Sequence, residues 1–158
     1  MIYLQKDIST VSCGIIAHGT NCFAVMGSGV AKTLRNKYPI IFNPYALMCS
    51  EYATDPSKLL GKVCFVDVGL ELTPKTELII ANCYTQLHYG RDGKQYANVD
   101  AVRISLTEVL RFANEKHLPV YLPRIGCGLG GLKWDQVRDV IERLEEEFPL
   151  VGVTICDI

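Results

Sequence analysis

The 158-residue sequence lacks most of the features that assign a chain to a specialised class. No apolar stretch reaches the ~20 residues of a membrane span, and the N-terminus has neither the length nor the flanks of a signal peptide. A cytoplasmic protein with no membrane partner is expected. An excess of one charge is also missing. Sixteen Lys and Arg against 17 Asp and Glu leave a net charge of −1, so no broad basic field attracts nucleic acid or an anionic membrane. Seven cysteines are present, but the count is odd and no CxxC pair occurs, which argues against a disulfide framework and a zinc knuckle. Most of them fall in apolar runs and read as small core residues in a reducing compartment. No cluster has metal-ligand spacing, so neither metal nor cofactor is expected. The phosphate-binding pattern GxxxxGK[ST] is absent, which disfavours a Mg-nucleotide triphosphatase; "GSGVAK" lacks the third glycine of GxGxxG and the chain does not open with a βαβ unit of the dinucleotide kind. With no repeat, low-complexity tract or linker, residues 1–158 are expected to form one domain. A monomer is expected, though nothing in the sequence fixes the oligomeric state.

What is present is an alternation of strand-like and helix-like segments. "MIYLQ", "CGIIA", "KVCFVDV", "ELIIANC", "LPVYLP" and "VGVTICDI" read as strands. The continuous apolar run Cys13 to Ala17 fits a strand buried on both faces. "VAKTLRNKYP" and "NPYALMCSEY" read as short helices, the first stopped at Pro39. Val102, Leu106, Val109, Leu110 and Ala113 mark one face of a longer helix, and Val137, Ile141, Leu144 and Phe148 mark another. Alternating strands and helices predict an α/β layered domain with a mixed sheet.

Two glycine-rich segments, "VMGSGVA" and "RIGCGLGGL", each follow a strand and precede a helix. In α/β sheets, ligands bind outside the carboxyl ends of strands. Glycine lets the backbone approach a ligand, and successive amides ahead of a helix can hold an anion. A tight turn needs the same residues, but two such loops at corresponding strand ends suggest a diphosphate ligand.

Together "YLQKDIS", "IIAHGTNCFAVMGSGVAKTLRNKYP", "YGRDGKQY" and "LPRIGCGLGGLKWDQV" resemble the macro domain over nearly the whole chain. The likeness is greatest to the branch of ADP-ribose-1″-phosphate phosphatases and their phage-type relatives. The resemblance implies a three-layer α/β/α fold with a mixed, mostly parallel six-stranded sheet, and ADP-ribose in a cleft across the strand ends. It places Asp7 and Ile8 at the adenine, although Lys6 stands where the family more often has glycine. Gly27, Ser28, Gly29, Val30 and Ala31 fall over the diphosphate and distal ribose. Arg124, Gly126, Cys127, Gly128, Leu129, Gly130 and Gly131 fall at the second phosphate loop. Asn21 would touch the distal ribose. His18 matches a histidine beside that ribose in the phosphatases, and with Asn21 it is the candidate catalytic pair.

Each of these residues also has a structural reading. His18 ends an apolar strand, Asn21 suits a turn, Asp7 suits a cap, and Cys127 suits packing beneath its loop. Tyr89, Arg91 and Asp92, in a long polar loop, are candidate lid residues, with the Arg91 guanidinium suited to a terminal phosphate. Related de-ADP-ribosylating macro domains use a lysine near the end of "LIIANCYT" and an aspartate in the second loop. Here Asn82 and Cys83 occupy the first region and Gly130 the second, and both departures count against that mechanism. The expected activity is therefore hydrolysis of ADP-ribose-1″-phosphate to ADP-ribose and phosphate. Removal of ADP-ribose from protein or nucleic acid, or non-catalytic ADP-ribose binding, are the alternatives.

Overall fold

A computed structural model describes residues 1–158, and its core is built from strands in a single six-stranded sheet. In chain order the strands are β1 (Ile2–Gln5), β2 (Gly14–Thr20), β3 (Val63–Asp67), β4 (Leu78–Tyr84), β5 (Val120–Leu122) and β6 (Val153–Asp157). The helices are α1 (Gly29–Lys37), α2 (Phe42–Glu51), α3 (Val99–Lys116) and α4 (Trp134–Glu147). The spatial order is β1-β6-β5-β2-β4-β3. Every neighbouring pair is parallel except β3 with β4.

The central strands β2 and β4 are buried along almost their whole length because both sheet faces are covered. Alternation divides their side chains between two cores. Ile15, Ala17, Ile79 and Ala81 pack with α3 and α4. Ile16, Leu78, Ile80 and Tyr84 pack with α1 and α2. The result is the three-layer α/β/α arrangement.

Helix α3 buries Val102, Leu106, Val109, Leu110 and Ala113, the stripe read from the sequence. It starts earlier than that stripe, because Asn98 caps it by accepting from the Ala101 amide at 3.0 Å. His117 ends it in the left-handed region at φ 57°. Five of the seven cysteines are buried, Cys127 is half-buried and Cys13 is exposed. Strand β2 runs three residues past the apolar segment, through His18 to Thr20.

This topology positions the site. Strands β2, β4, β5 and β6 run parallel, so their carboxyl ends lie on one edge. The segments that follow Thr20, Tyr84, Leu122 and Asp157 gather there. No helix is long and apolar enough to cross a membrane.

Candidate ligand-binding cleft

The gathered loops enclose a cleft of about 560 Å³, within the range of small-molecule sites. Its floor is Gly19, Thr20, Thr85 and Ile125 at the strand ends. One wall is the first glycine loop, from Val25 to Ala31. The opposite wall is the second, which contributes Gly126, Gly128, Leu129 and Gly130.

The backbone explains which loop residues line the cleft. The amides of Gly27, Ser28, Gly29, Val30 and Ala31 make no hydrogen bond within the protein, because they precede or open α1. In the second loop the amides of Gly126, Gly128, Leu129 and Gly130 are likewise unpartnered. The Cys127 amide instead donates to the Arg124 carbonyl at 3.0 Å, and the Gly131 amide to Gly128 at 3.1 Å. Those two residues close the turn and are absent from the lining. Cys127 packs against the α3/α4 core, and burial pushes its thiol pKa up, which leaves it a poor nucleophile.

Glycine is required at two of these positions. Gly126 has φ +78°, and a Cβ there would meet Leu132 at 2.9 Å. A Cβ on Gly130 would lie 2.6 Å from the Gly126 carbonyl oxygen and 2.8 Å from Ala97. The second loop therefore has no room for an aspartate at 130.

His18 does not reach the cleft. It is fully buried on the α1/α2 face of β2, where its Nε2 lies 2.6 Å from Asn82 Oδ1. Asn82 in turn donates to the Ile41 carbonyl at 3.2 Å. Burial lowers the His18 pKa to about 4, partly opposed by the Asn82 contact. The ring, expected from the sequence to carry a catalytic proton, is thus neutral at physiological pH and separated from the lining.

Asn21 does line the cleft, but most of its side chain is committed locally. Its Oδ1 accepts from the Phe23 amide at 2.9 Å and the Tyr45 hydroxyl at 2.8 Å, while Nδ2 donates to the Val25 carbonyl at 2.7 Å. One Nδ2 proton is left for a ligand. Its main role is to fold residues 21–25 into the start of the first loop.

Asp7 and Ile8 lie outside the lining. Ile8 is buried in the α1/α2 core. Asp7 caps a short 3₁₀ turn through Oδ1, which accepts from the Ser9 amide at 2.9 Å and the Ser9 hydroxyl at 2.8 Å. The amide bond lowers its pKa and Oδ2 remains free. Asp7 is close to the cleft mouth, since the adjacent Lys6 amide donates to the carbonyl of the lining residue Asp157 at 2.7 Å.

The long polar loop is closed at its base by a bridge between Gln86 and Ala97. Tyr89 and Arg91 line the cleft, and Arg91 Nη2 donates to the Gly27 carbonyl at 3.3 Å, a contact that joins the two cleft rims. Asp92 does not line it. Its carboxylate accepts from the Tyr96 hydroxyl at 2.8 Å and the Lys94 amide at 3.2 Å, which hold its pKa below the usual range.

Arg124 lines the far end of the cleft, but its charge is neutralised. Nε and Nη2 donate to the two oxygens of Asp157 at 2.9 and 3.0 Å, and the guanidinium lies 4.9 Å from the Trp134 ring centroid. The sequence reading did not single out Asp157, Thr85 or Gln86. Asp157 and Thr85 stand at carboxyl ends of parallel strands, which was the one available signal. No group of three or more His, Cys, Asp or Glu side chains is placed to hold a metal ion.

A family model described as the macro domain matches residues 17–141. The chain belongs to the macro domain family. This macro domain is 31% identical over 160 residues to an ADP-ribose 1″-phosphate phosphatase of Debaryomyces hansenii, an alignment that covers 90% of this chain and 89% of the yeast protein. It is 30% identical to a DNA ADP-ribosyl glycohydrolase of Mycobacterium tuberculosis; that match covers 97% of this chain but 41% of the mycobacterial protein. A solved structure of a protein of unknown function from Bacteroides thetaiotaomicron superposes with a TM-score of 0.83 at 28% identity, covering 99% of this macro domain and 97% of that chain.

Proposed function

We propose that this macro domain binds ADP-ribose in the cleft and hydrolyses ADP-ribose-1″-phosphate to ADP-ribose and inorganic phosphate. The observation that carries the reading is the pair of loops whose unpartnered amides line one cleft from opposite sides. Amides of that kind, with the start of α1 behind them, suit the two phosphoryl groups of a nucleoside diphosphate. The Debaryomyces relative, similar over almost its whole length, supports the choice of substrate.

The charge distribution supports it as well. Arg124 is paired with Asp157, so Arg91 is the one lining cation without a carboxylate partner. It stands over the first loop at the Gly27 carbonyl. Its forked guanidinium suits the terminal phosphate of the substrate. The lining holds no histidine, and its single side-chain carboxylate is Asp157. Hydrolysis here depends on the loop amides and Arg91 stabilising charge on the phosphoryl oxygens. The substrate phosphate oxygens then serve as the base for the attacking water.

Removal of ADP-ribose from DNA or protein is the competing reading, favoured by the mycobacterial relative. Against it, no lysine lines the cleft, and position 130 has no space for a carboxylate. Inorganic phosphate release from ADP-ribose-1″-phosphate is the deciding assay. Release that falls with Arg91→Ala supports the phosphatase. No release from that substrate, with loss of label from ADP-ribosylated DNA or protein, overturns it.

A further inference from the structure

We infer that Tyr45, which lies outside the cleft, is a positioning residue that sets the shape of the first glycine loop. The inference rests on the ADP-ribose reading only for its affinity readout. Tyr45 belongs to α2 and is fully buried, yet its hydroxyl reaches the residues from which the loop departs. It lies 2.8 Å from Asn21 Oδ1 and 3.0 Å from the Asn21 carbonyl oxygen, to which its one proton is shared. It also accepts from the Val25 amide at 3.2 Å.

No other donor reaches the Asn21 carbonyl. The alternative partner of the Val25 amide, Asn21 Oδ1, is 3.4 Å away, beyond a good hydrogen bond. The hydroxyl therefore satisfies both ends of the turn that delivers Met26 and then the lining residues Gly27 to Ala31. Burial pushes its pKa far above neutrality, so it remains a donor at any working pH.

The ring is held in turn. Tyr84 stacks on it with centroids 5.4 Å apart, and the Tyr84 hydroxyl donates to the Tyr45 carbonyl at 2.8 Å. Tyr84 is the last residue of β4, so its ring, which Tyr84→Phe retains, ties Tyr45 to the sheet through the stack. Tyr84 provides the matched control. Its hydroxyl is equally buried in the same stack but touches no loop residue.

The test compares Tyr45→Phe with Tyr84→Phe. Each should lower the melting temperature by a similar amount. In the ligand-free protein, hydrogen exchange at the Val25 amide should rise about tenfold or more in Tyr45→Phe and stay near wild type in Tyr84→Phe. Calorimetry with ADP-ribose should show affinity about tenfold weaker for Tyr45→Phe and within about twofold for Tyr84→Phe. Asn21→Ser removes the side-chain end of the contact and should raise Val25 exchange in the ligand-free protein in the same way, a readout independent of any ligand contact by Asn21, which keeps the test decisive if Tyr45→Phe folds poorly. Unchanged Val25 exchange, or equal effects of the two tyrosine substitutions, overturns the inference. A wild type that does not bind ADP-ribose overturns the functional reading alone, and hydrogen exchange still decides the role of Tyr45.

Discussion

His18 in the folded chain takes up a proton only near pH 4, whereas in the unfolded chain it does so near the ordinary value of 6.5. The folded state therefore binds fewer protons between those values. Stability from this group is fully present above pH 6.5 and is lost as pH falls toward 4. The gap between 6.5 and about 4 corresponds to roughly 3 kcal/mol. Urea unfolding of wild type between pH 7 and 4.5 should show this decline, and His18→Gln should flatten it. A parallel decline in both proteins would contradict the buried, neutral assignment. The pH profiles of phosphate release should coincide for the two, because the ring is outside the lining. The side to which His18 points follows the alternation of β2, with Ile16. Gly130 is the opposite case, legible as a loop glycine but not as one packed against the Gly126 carbonyl. Gly130→Ala should weaken ADP-ribose binding by about tenfold or more while leaving the circular dichroism spectrum unchanged, since a Cβ there forces the unpartnered amides apart.

The glycine loops and the apolar stripes were readable as elements, because glycine punctuates a chain and helical spacing is local. Which amides remain free was not readable. It depends on where each turn closes, and the Cys127 and Gly131 amides are consumed in that closure. The Arg124–Asp157 pair was equally hidden, since its partners are 33 residues apart. At this scale the polar loop gives a sharp expectation. Arg91→Ala should reduce phosphate release by about 10- to 100-fold, the range expected when a charged donor to the phosphoryl oxygens is lost. ADP-ribose, which lacks the terminal phosphate, should bind within about threefold of wild type. Helix α3 provides a test of the scaffold. Leu106 is fully buried beneath it, so Leu106→Ala should cost about 2–5 kcal/mol in denaturant unfolding.

The molecule places its site by topology. Five neighbouring strands share one direction, and four of them end at the cleft. An antiparallel strand at the same edge would have sent its connecting loop elsewhere. The alternation of strands and helices was enough to anticipate that layout, but not the committed side chain of Asn21 or the position of Asp7 outside the lining. Both depend on contacts set only once the sheet is assembled. The central claim is that the two glycine loops hold one diphosphate between them. Titration of ¹⁵N-labelled protein with ADP-ribose tests it most directly. The largest amide shifts should fall at Gly27 to Ala31 and at Gly126, Gly128, Leu129 and Gly130. Shifts confined to one loop, or centred on the groove between α3 and α4 near Arg103 and Arg143, would contradict it.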